Sequence, residues 1–164
     1  MPAGGTILVV DDSSDDVTLL LRTFRQLGVR NRIEVCDGGQ AALDYLWRDV
    51  NSPPAIVLLD LKMPAVDGFQ VLRKVKNHPI LRDVVVIVLT TSSDRTDIQL
   101  AYELGANSFL TKPLDLAEFH EMVNAFHNYW VIHSQPAPVK RGRWIKPPNG
   151  GGTDDPKEAD ESVN

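Results

Sequence analysis

The chain has 164 residues, a length that suits one domain with an appendage. Hydrophobic residues make up 43% and charged residues 24%, ordinary for a folded domain, and a net charge of −5 excludes a globally basic surface that would recruit nucleic acid. The single cysteine, Cys36, cannot form an internal disulfide and reads as a structural thiol. Residues 1–5 carry no basic and apolar leader, and the longest apolar run, 84–89, is too short to span a bilayer, so a cytoplasmic protein with no membrane contact is expected.

Ile7-Leu8-Val9-Val10 predicts a first strand that runs into acids, and Ser13 then caps a helix, with Asp15 and Asp16 favoured in its first turn by the helix dipole. Val17, Leu20, Leu21, Phe24 and Leu27 share one helical face, and Gly28 stops it. Residues 32–36 form a short second strand. Ala41, Ala42, Leu43, Leu46 and Trp47 make a second helix, which Pro53-Pro54 breaks. Residues 55–59 form a third strand, again ending in an acid, Asp60. A third helix covers 68–77, with Phe69, Leu72 and Val75 on one face, and a fourth strand covers 84–89. A fourth helix spans 94–104 and is stopped by Gly105. A fifth strand spans 108–111, and a fifth helix runs from Asp115 to about Trp130, with Leu116, Phe119, Val123, Phe126 and Trp130 along one side.

Strands alternating with helices predict parallel pairing through right-handed crossovers. Five such units suit an α/β, flavodoxin-like, doubly wound five-stranded parallel sheet with strand order 2-1-3-4-5. In such sheets ligands bind beyond the carboxyl ends of the strands, at the switch point between strands 1 and 3. Those ends carry Asp11, Asp12 and Asp60, with Thr90 and Thr91 after strand 4 and Lys112-Pro113 after strand 5. Three crowded carboxylates repel one another unless a cation joins them or some take up protons. Hard oxygen ligands favour Mg²⁺, which also accepts phosphate oxygens. A cation, a lysine, a threonine hydroxyl and a free aspartate together suit phosphoryl transfer to a carboxylate.

These segments resemble the receiver domains of bacterial two-component response regulators over about residues 6–133. The carriers are Ile7-Leu8-Val9-Val10-Asp11-Asp12-Ser13, residues 58–68 with Asp60 and Lys62-Met63-Pro64, Val88-Leu89-Thr90-Thr91, and residues 105–113 ending in Thr111-Lys112-Pro113. The resemblance implies that Asp60 is the phosphorylated aspartate. It implies that Asp12 binds Mg²⁺ directly, that Asp11 is its neighbour acting through water, that the backbone carbonyl of Lys62 is a further ligand, and that Mn²⁺ can substitute. Thr90 and Phe109 would be the switch residues, Lys112 the phosphoryl partner, and Lys112-Pro113 a cis peptide. Asn31-Arg32-Ile33, Asp37-Gly38, residues 42–46, Leu89-Thr90-Thr91-Ser92 and Tyr129-Trp130 further resemble the small single-domain receivers that partner bacterial phytochrome kinases. Lys62 departs from those relatives, which often carry a neutral side chain there.

A histidine kinase, phytochrome-like, is the implied donor, and the protein would catalyse only its own phosphorylation and slow dephosphorylation. A dehalogenase-type hydrolase would want a second acid at position 62, and a flavin-binding protein would want a Gly- and hydroxyl-rich loop where Asp11 and Asp12 stand. A receiver serving only as a scaffold would normally lack part of the site, and none is missing here. Residues 1–133 are expected to be the receiver, and 134–164, with five prolines and four glycines, a mostly disordered charged tail without specific nucleic-acid affinity. Output is then expected through protein contacts rather than a DNA-binding domain. Phe126, Tyr129, Trp130, Val131 and Ile132 crowd the end of the fifth helix and suggest a homodimer through the face of the fourth helix, fifth strand and fifth helix.

Overall fold

The computed structural model describes residues 5–135. Strand β1 (Ile7–Val10) leads into helix α1 (Ser14–Gln26), and β2 (Ile33–Cys36) into α2 (Gly39–Arg48). Then follow β3 (Ile56–Leu59), α3 (Gly68–Asn77), β4 (Val85–Thr90), α4 (Arg95–Glu103), β5 (Ser108–Thr111) and α5 (Leu116–Phe126). All five strands are parallel, in the order β2-β1-β3-β4-β5. This is the expected flavodoxin-like architecture. Among the described residues no helix is long and apolar enough to cross a membrane. Most of the expected tail, from residue 136 onward, lies outside the described residues.

The unbroken apolar strands follow from burial on both faces. Successive side chains of a strand point to opposite faces. Leu8, Val10, Val57, Leu59, Val86 and Val88 therefore join α2, α3 and Ala101 of α4 in one core layer. Ile7, Val9, Ile56, Leu58, Ile87 and Leu89 join Leu20 and Phe24 of α1 and Phe119, Val123 and Phe126 of α5 in the other. A one-residue slip in any strand would exchange these layers, so the register is tightly specified. Val10 pairs with Leu59, Leu59 with Val88, and Thr90 with Thr111. The next residue along β1 is therefore set beside the next residue along β3.

Helix starts follow local chemistry. Ser13 Oγ accepts the Asp16 N–H at 3.3 Å, and Asp67 forms a reciprocal capping box with Gln70. Asp94 and Asp115 cap α4 and α5. Gly28 ends α1 at a φ of 70° and Gly105 follows α4 at 102°, as stop signals should.

Three expectations need correction. Helix α2 stops at Arg48, before Pro53-Pro54. Leu116 faces solvent, because it occupies the first turn of α5, beyond the edge of the sheet. The α-helical part of α5 ends at Phe126 and continues as a π-helical turn, His127–His133. Phe126 and, within that turn, Val131 are buried in the domain's own core, whereas Tyr129 and Ile132 are exposed. Val71, which the helical-face reading of α3 passed over, is also buried.

Two glycines test the packing at the carboxyl edge. A Cβ on Gly68 would lie 2.1 Å from the Asp60 carbonyl oxygen, whereas a Cβ on Gly38 would meet nothing within 4 Å. Gly68→Ala should therefore cost roughly 1–3 kcal/mol, since the clash is with backbone. Gly38→Ala should stay within about 0.5 kcal/mol of wild type. Urea unfolding of the two variants checks the difference, and equal stabilities would refute the packing argument.

Candidate functional site

Asp11 follows β1, and its backbone N–H donates to the Cys36 carbonyl at 3.1 Å. Asp60 follows β3, and its N–H donates to the Val10 carbonyl at 2.9 Å. Sheet hydrogen bonds thus continue one residue past the strands and present both carboxylates at the edge. One ligand oxygen from each of Asp11, Asp12 and Asp60 lies within 4.8 Å of the others. Asp11 and Asp60 are buried and Asp12 is exposed. Three hard oxygen donors so close together fit a small divalent cation, and an exposed third acid leaves a path for its waters.

Burial is the main force on Asp60. It pushes the carboxyl pKa above the ordinary 3.8, and the Asp11 charge pushes the same way. Thr90, Lys112 and the Leu61 N–H, which donates to Asp60 Oδ1 at 2.8 Å, oppose that rise without cancelling it. The Thr90 hydroxyl is fully buried at the end of β4. It lies near enough to Asp60 to favour the carboxylate, yet has no partner within hydrogen-bonding geometry.

Lys112 reaches the cluster from the end of β5. Its N–H donates to the Thr90 carbonyl at 2.7 Å, and Nζ donates to Asp11 Oδ2 at 2.5 Å and Asp16 Oδ2 at 2.9 Å. Burial alone would lower the ammonium pKa, but the two hydrogen bonds and the Asp11 and Asp60 charges raise it overall, so the group stays cationic. The Lys112–Pro113 bond is trans, contrary to expectation. An X-Pro bond prefers trans by about 0.5–1 kcal/mol, and the trans chain already delivers the ammonium to Asp11.

Lys62 lies in the loop between Asp60 and α3. Its ammonium turns away from the carboxylates to Asp97 Oδ2 at 3.0 Å, and the Ser92 hydroxyl donates to the same oxygen at 2.7 Å. The two contacts hold Asp97 below the usual carboxylate range. The loop contains Ala65 at a φ of 64°, a left-handed conformation uncommon for a side-chain-bearing residue. Such strain persists only where surrounding structure over-determines it, and here buried Leu61 and Met63 pin the loop. Phe109, the expected aromatic switch, is half-buried against the α4 side of the core, and its N–H donates to the Tyr102 hydroxyl at 3.1 Å.

The structure thus brings Asp11, Asp12, Asp60, Thr90 and Lys112 together at one edge. Two participants escaped the sequence reading. Asp16 reads as a helix-dipole residue but also takes Lys112, which reaches it from the end of β5. Asp97 receives Lys62, a partnership between the loop after β3 and the first turn of α4 that no sequence spacing reveals. Cys36 is buried as expected, and its thiol is pushed up to about 11, mainly by burial.

Comparison with known proteins places this arrangement. A model of the response regulator receiver domain matches residues 7–124. "Probable methanogenesis regulatory protein FilR2" of Methanothrix harundinacea is 41% identical over 128 residues, 76% of this chain and 83% of that protein. Response regulator Rcp1 of a Synechocystis strain is 35% identical over 129 residues, 76% of this chain and 88% of Rcp1. The Mn²⁺-bound crystal structure of Rcp1 superposes with a TM-score of 0.76 at 33% identity, covering 82% of this chain and 99% of that one. The phosphorylated cyanobacterial phytochrome response regulator RcpA superposes with a TM-score of 0.77 at 29% identity, covering 83% of this chain and all of that one.

The raised pKa of Asp60 carries a stability consequence. A carboxyl with a higher pKa in the folded than in the unfolded state stabilises the fold when protonated. That contribution is complete below about pH 3.8 and is lost as pH rises through the folded-state value. In chelator at neutral pH, Asp60→Asn should therefore be more stable than wild type, by about 1–3 kcal/mol. The gap should close as pH falls toward 4. Urea unfolding across this range checks it, and a pH-independent gap would show that burial does not strain the carboxylate.

Proposed function

Because the chain belongs to the response-regulator receiver family, we propose that it is a single-domain signalling switch that takes a phosphoryl group from a histidine kinase onto Asp60. The observation that carries this reading is a buried aspartate with a raised pKa at a sheet edge beside two further acids, a buried threonine hydroxyl and a cationic lysine.

An Asp60 carboxylate oxygen attacks the phosphorus of a phosphohistidine, the phosphorus–nitrogen bond breaks, and the imidazole leaves with its electron pair. Asp11, Asp12, Asp60 and the backbone carbonyl of Lys62 would hold Mg²⁺, which when bound neutralises phosphoryl oxygens. Mn²⁺ can take its place. Lys112 supplies a second positive charge, and the Thr90 hydroxyl turns to a phosphoryl oxygen. Phe109 beside α4 follows Thr90, shifting a two-state equilibrium of the α4, β5 and α5 face. Phosphorylation adds charge and acceptor oxygens at a site whose neighbours are already poised to receive them. The likeness to RcpA, a phytochrome response regulator, supports a phytochrome-like kinase as donor.

Exposed Tyr102, Leu116, Tyr129 and Ile132 support a homodimer through α4, β5 and α5. Phe126 and Val131 do not contribute to that surface, since the domain's own core uses them.

Two experiments test this reading. Incubation with acetyl phosphate and Mg²⁺, read by intact mass, should add one phosphoryl group to wild type and none to Asp60→Asn. Chelator should abolish the addition, Asp12→Ala should impair it more than Asp11→Ala, Lys112→Ala should slow it, and Thr90→Ala should leave it intact. Phosphate on Asp60→Asn at the wild-type level would refute the assignment. In the second, sedimentation with and without phosphodonor should show a dimer that phosphorylation tightens and that Tyr129→Ala with Ile132→Ala weakens. A monomer in every condition would remove the dimer.

A further inference from the structure

Both carboxylate oxygens of Asp11 are committed inside the protein. Oδ1 accepts the Ser13 N–H at 2.9 Å, and Oδ2 takes the Lys112 ammonium at 2.5 Å. Asp11 nevertheless belongs to the three-carboxylate cluster that fits a cation. A metal ion drawn to Asp11, directly or through water, competes with the ammonium for the carboxylate's charge. Cation binding at Asp11 therefore loosens the hold of that oxygen on Lys112. Its side chain is only 8% exposed, so release into solvent is not open to it without a larger rearrangement. A second acceptor already waits. Asp16 Oδ2 lies 2.9 Å from the same nitrogen, on the first turn of α1, and Asp16 is not part of the cation cluster. Its carboxylate is partly solvated and its backbone N–H is tied to Ser13 Oγ, so the acid is anchored by the helix start while its head stays free to follow the lysine.

From this geometry we infer that Asp16 is a positioning residue for Lys112: it receives the ammonium when Asp11 turns to a cation, and keeps it beside Asp60 until a phosphoryl oxygen takes over. This rests on the cation-binding, phosphoacceptor reading above. Asp16 touches neither phosphoryl group nor metal in this scheme and acts through Lys112. A plain helix-dipole role for Asp16 predicts something different, because it would not depend on Lys112 at all.

Mn²⁺ affinity of the full-length protein, measured by titration calorimetry without any phosphodonor, separates the two. Asp16→Asn should weaken Mn²⁺ roughly three- to fivefold, the effect of one partly exposed ion pair, because Lys112 is left competing at Asp11. Asp16→Glu should restore most of the affinity. Lys112→Met should bind Mn²⁺ more tightly than wild type. In the Lys112→Met background, Asp16→Asn should change the affinity by less than about 1.5-fold, since no ammonium remains to be seated. The same loss with and without Lys112 would overturn the inference in favour of a direct charge effect, and an unchanged affinity in Asp16→Asn would overturn it outright. No Mn²⁺ binding by wild type would overturn the cation reading of the site and this inference with it. Phosphorylation of Asp60 alongside a failed cycle would leave the phosphoacceptor reading standing and remove only the role of Asp16.

Discussion

The pairing of Val10 with Leu59 between β1 and β3 is the constraint on which the rest depends. It places Asp11 and Asp60 side by side at the end of a sheet that is buried on both faces. Two carboxylates held that close, and out of water, repel each other and lose hydration. Lys112 is the protein's own counterweight, delivered by the pairing of Thr90 with Thr111 and by the hydrogen bond from Lys112 N to Thr90 O. The strain on Asp60 is tolerated because it is small beside what surrounds it. Each fully buried strand residue contributes roughly 1.5–3 kcal/mol, and Leu8, Val10, Leu59, Ile87 and Val88 are all fully buried.

From that constraint the site acquires its character as a receiver of charge. Asp60 is held with an incompletely compensated carboxylate, Thr90 with a buried hydroxyl beside it, and Lys112 between two acids. On the proposed phosphoacceptor reading, each of these groups would gain from a cation and a phosphoryl group. Signalling requires such an imbalance, since a ligand shifts a two-state equilibrium only by its differential affinity for the two states.

The contacts around Lys62 extend this logic to α4. Lys62 is two residues from the phosphoacceptor, and its ion pair with Asp97 ties the β3–α3 loop to the first turn of α4. Ser92, which also bonds Asp97, accepts the Thr111 hydroxyl on its carbonyl. One oxygen of Asp97 thus joins the loop after β3, the loop after β4 and, through Ser92, the end of β5.

The order of elements, the doubly wound sheet and the acids, hydroxyl and lysine at the strand ends were legible in the sequence. Apolar runs of strand length and a helical repeat are local properties, and turn residues such as Gly28 and Gly105 mark where they end. The resemblance of the motifs then assigned the strand-end residues their roles. What the sequence could not determine are pairings between side chains far apart in the chain. Asp16 looked like a helix-start acid because its neighbours in sequence explain it, and only the assembled sheet edge brings Lys112, at the end of β5, to it. Lys62 stood out in the sequence as a departure from the neutral side chain of its relatives, and only the position of α4 turns it toward Asp97. The trans Lys112–Pro113 bond and the π-helical turn after Phe126 belong to the same class. Local sequence permits either state with little difference in energy, and packing of the assembled fold makes the choice.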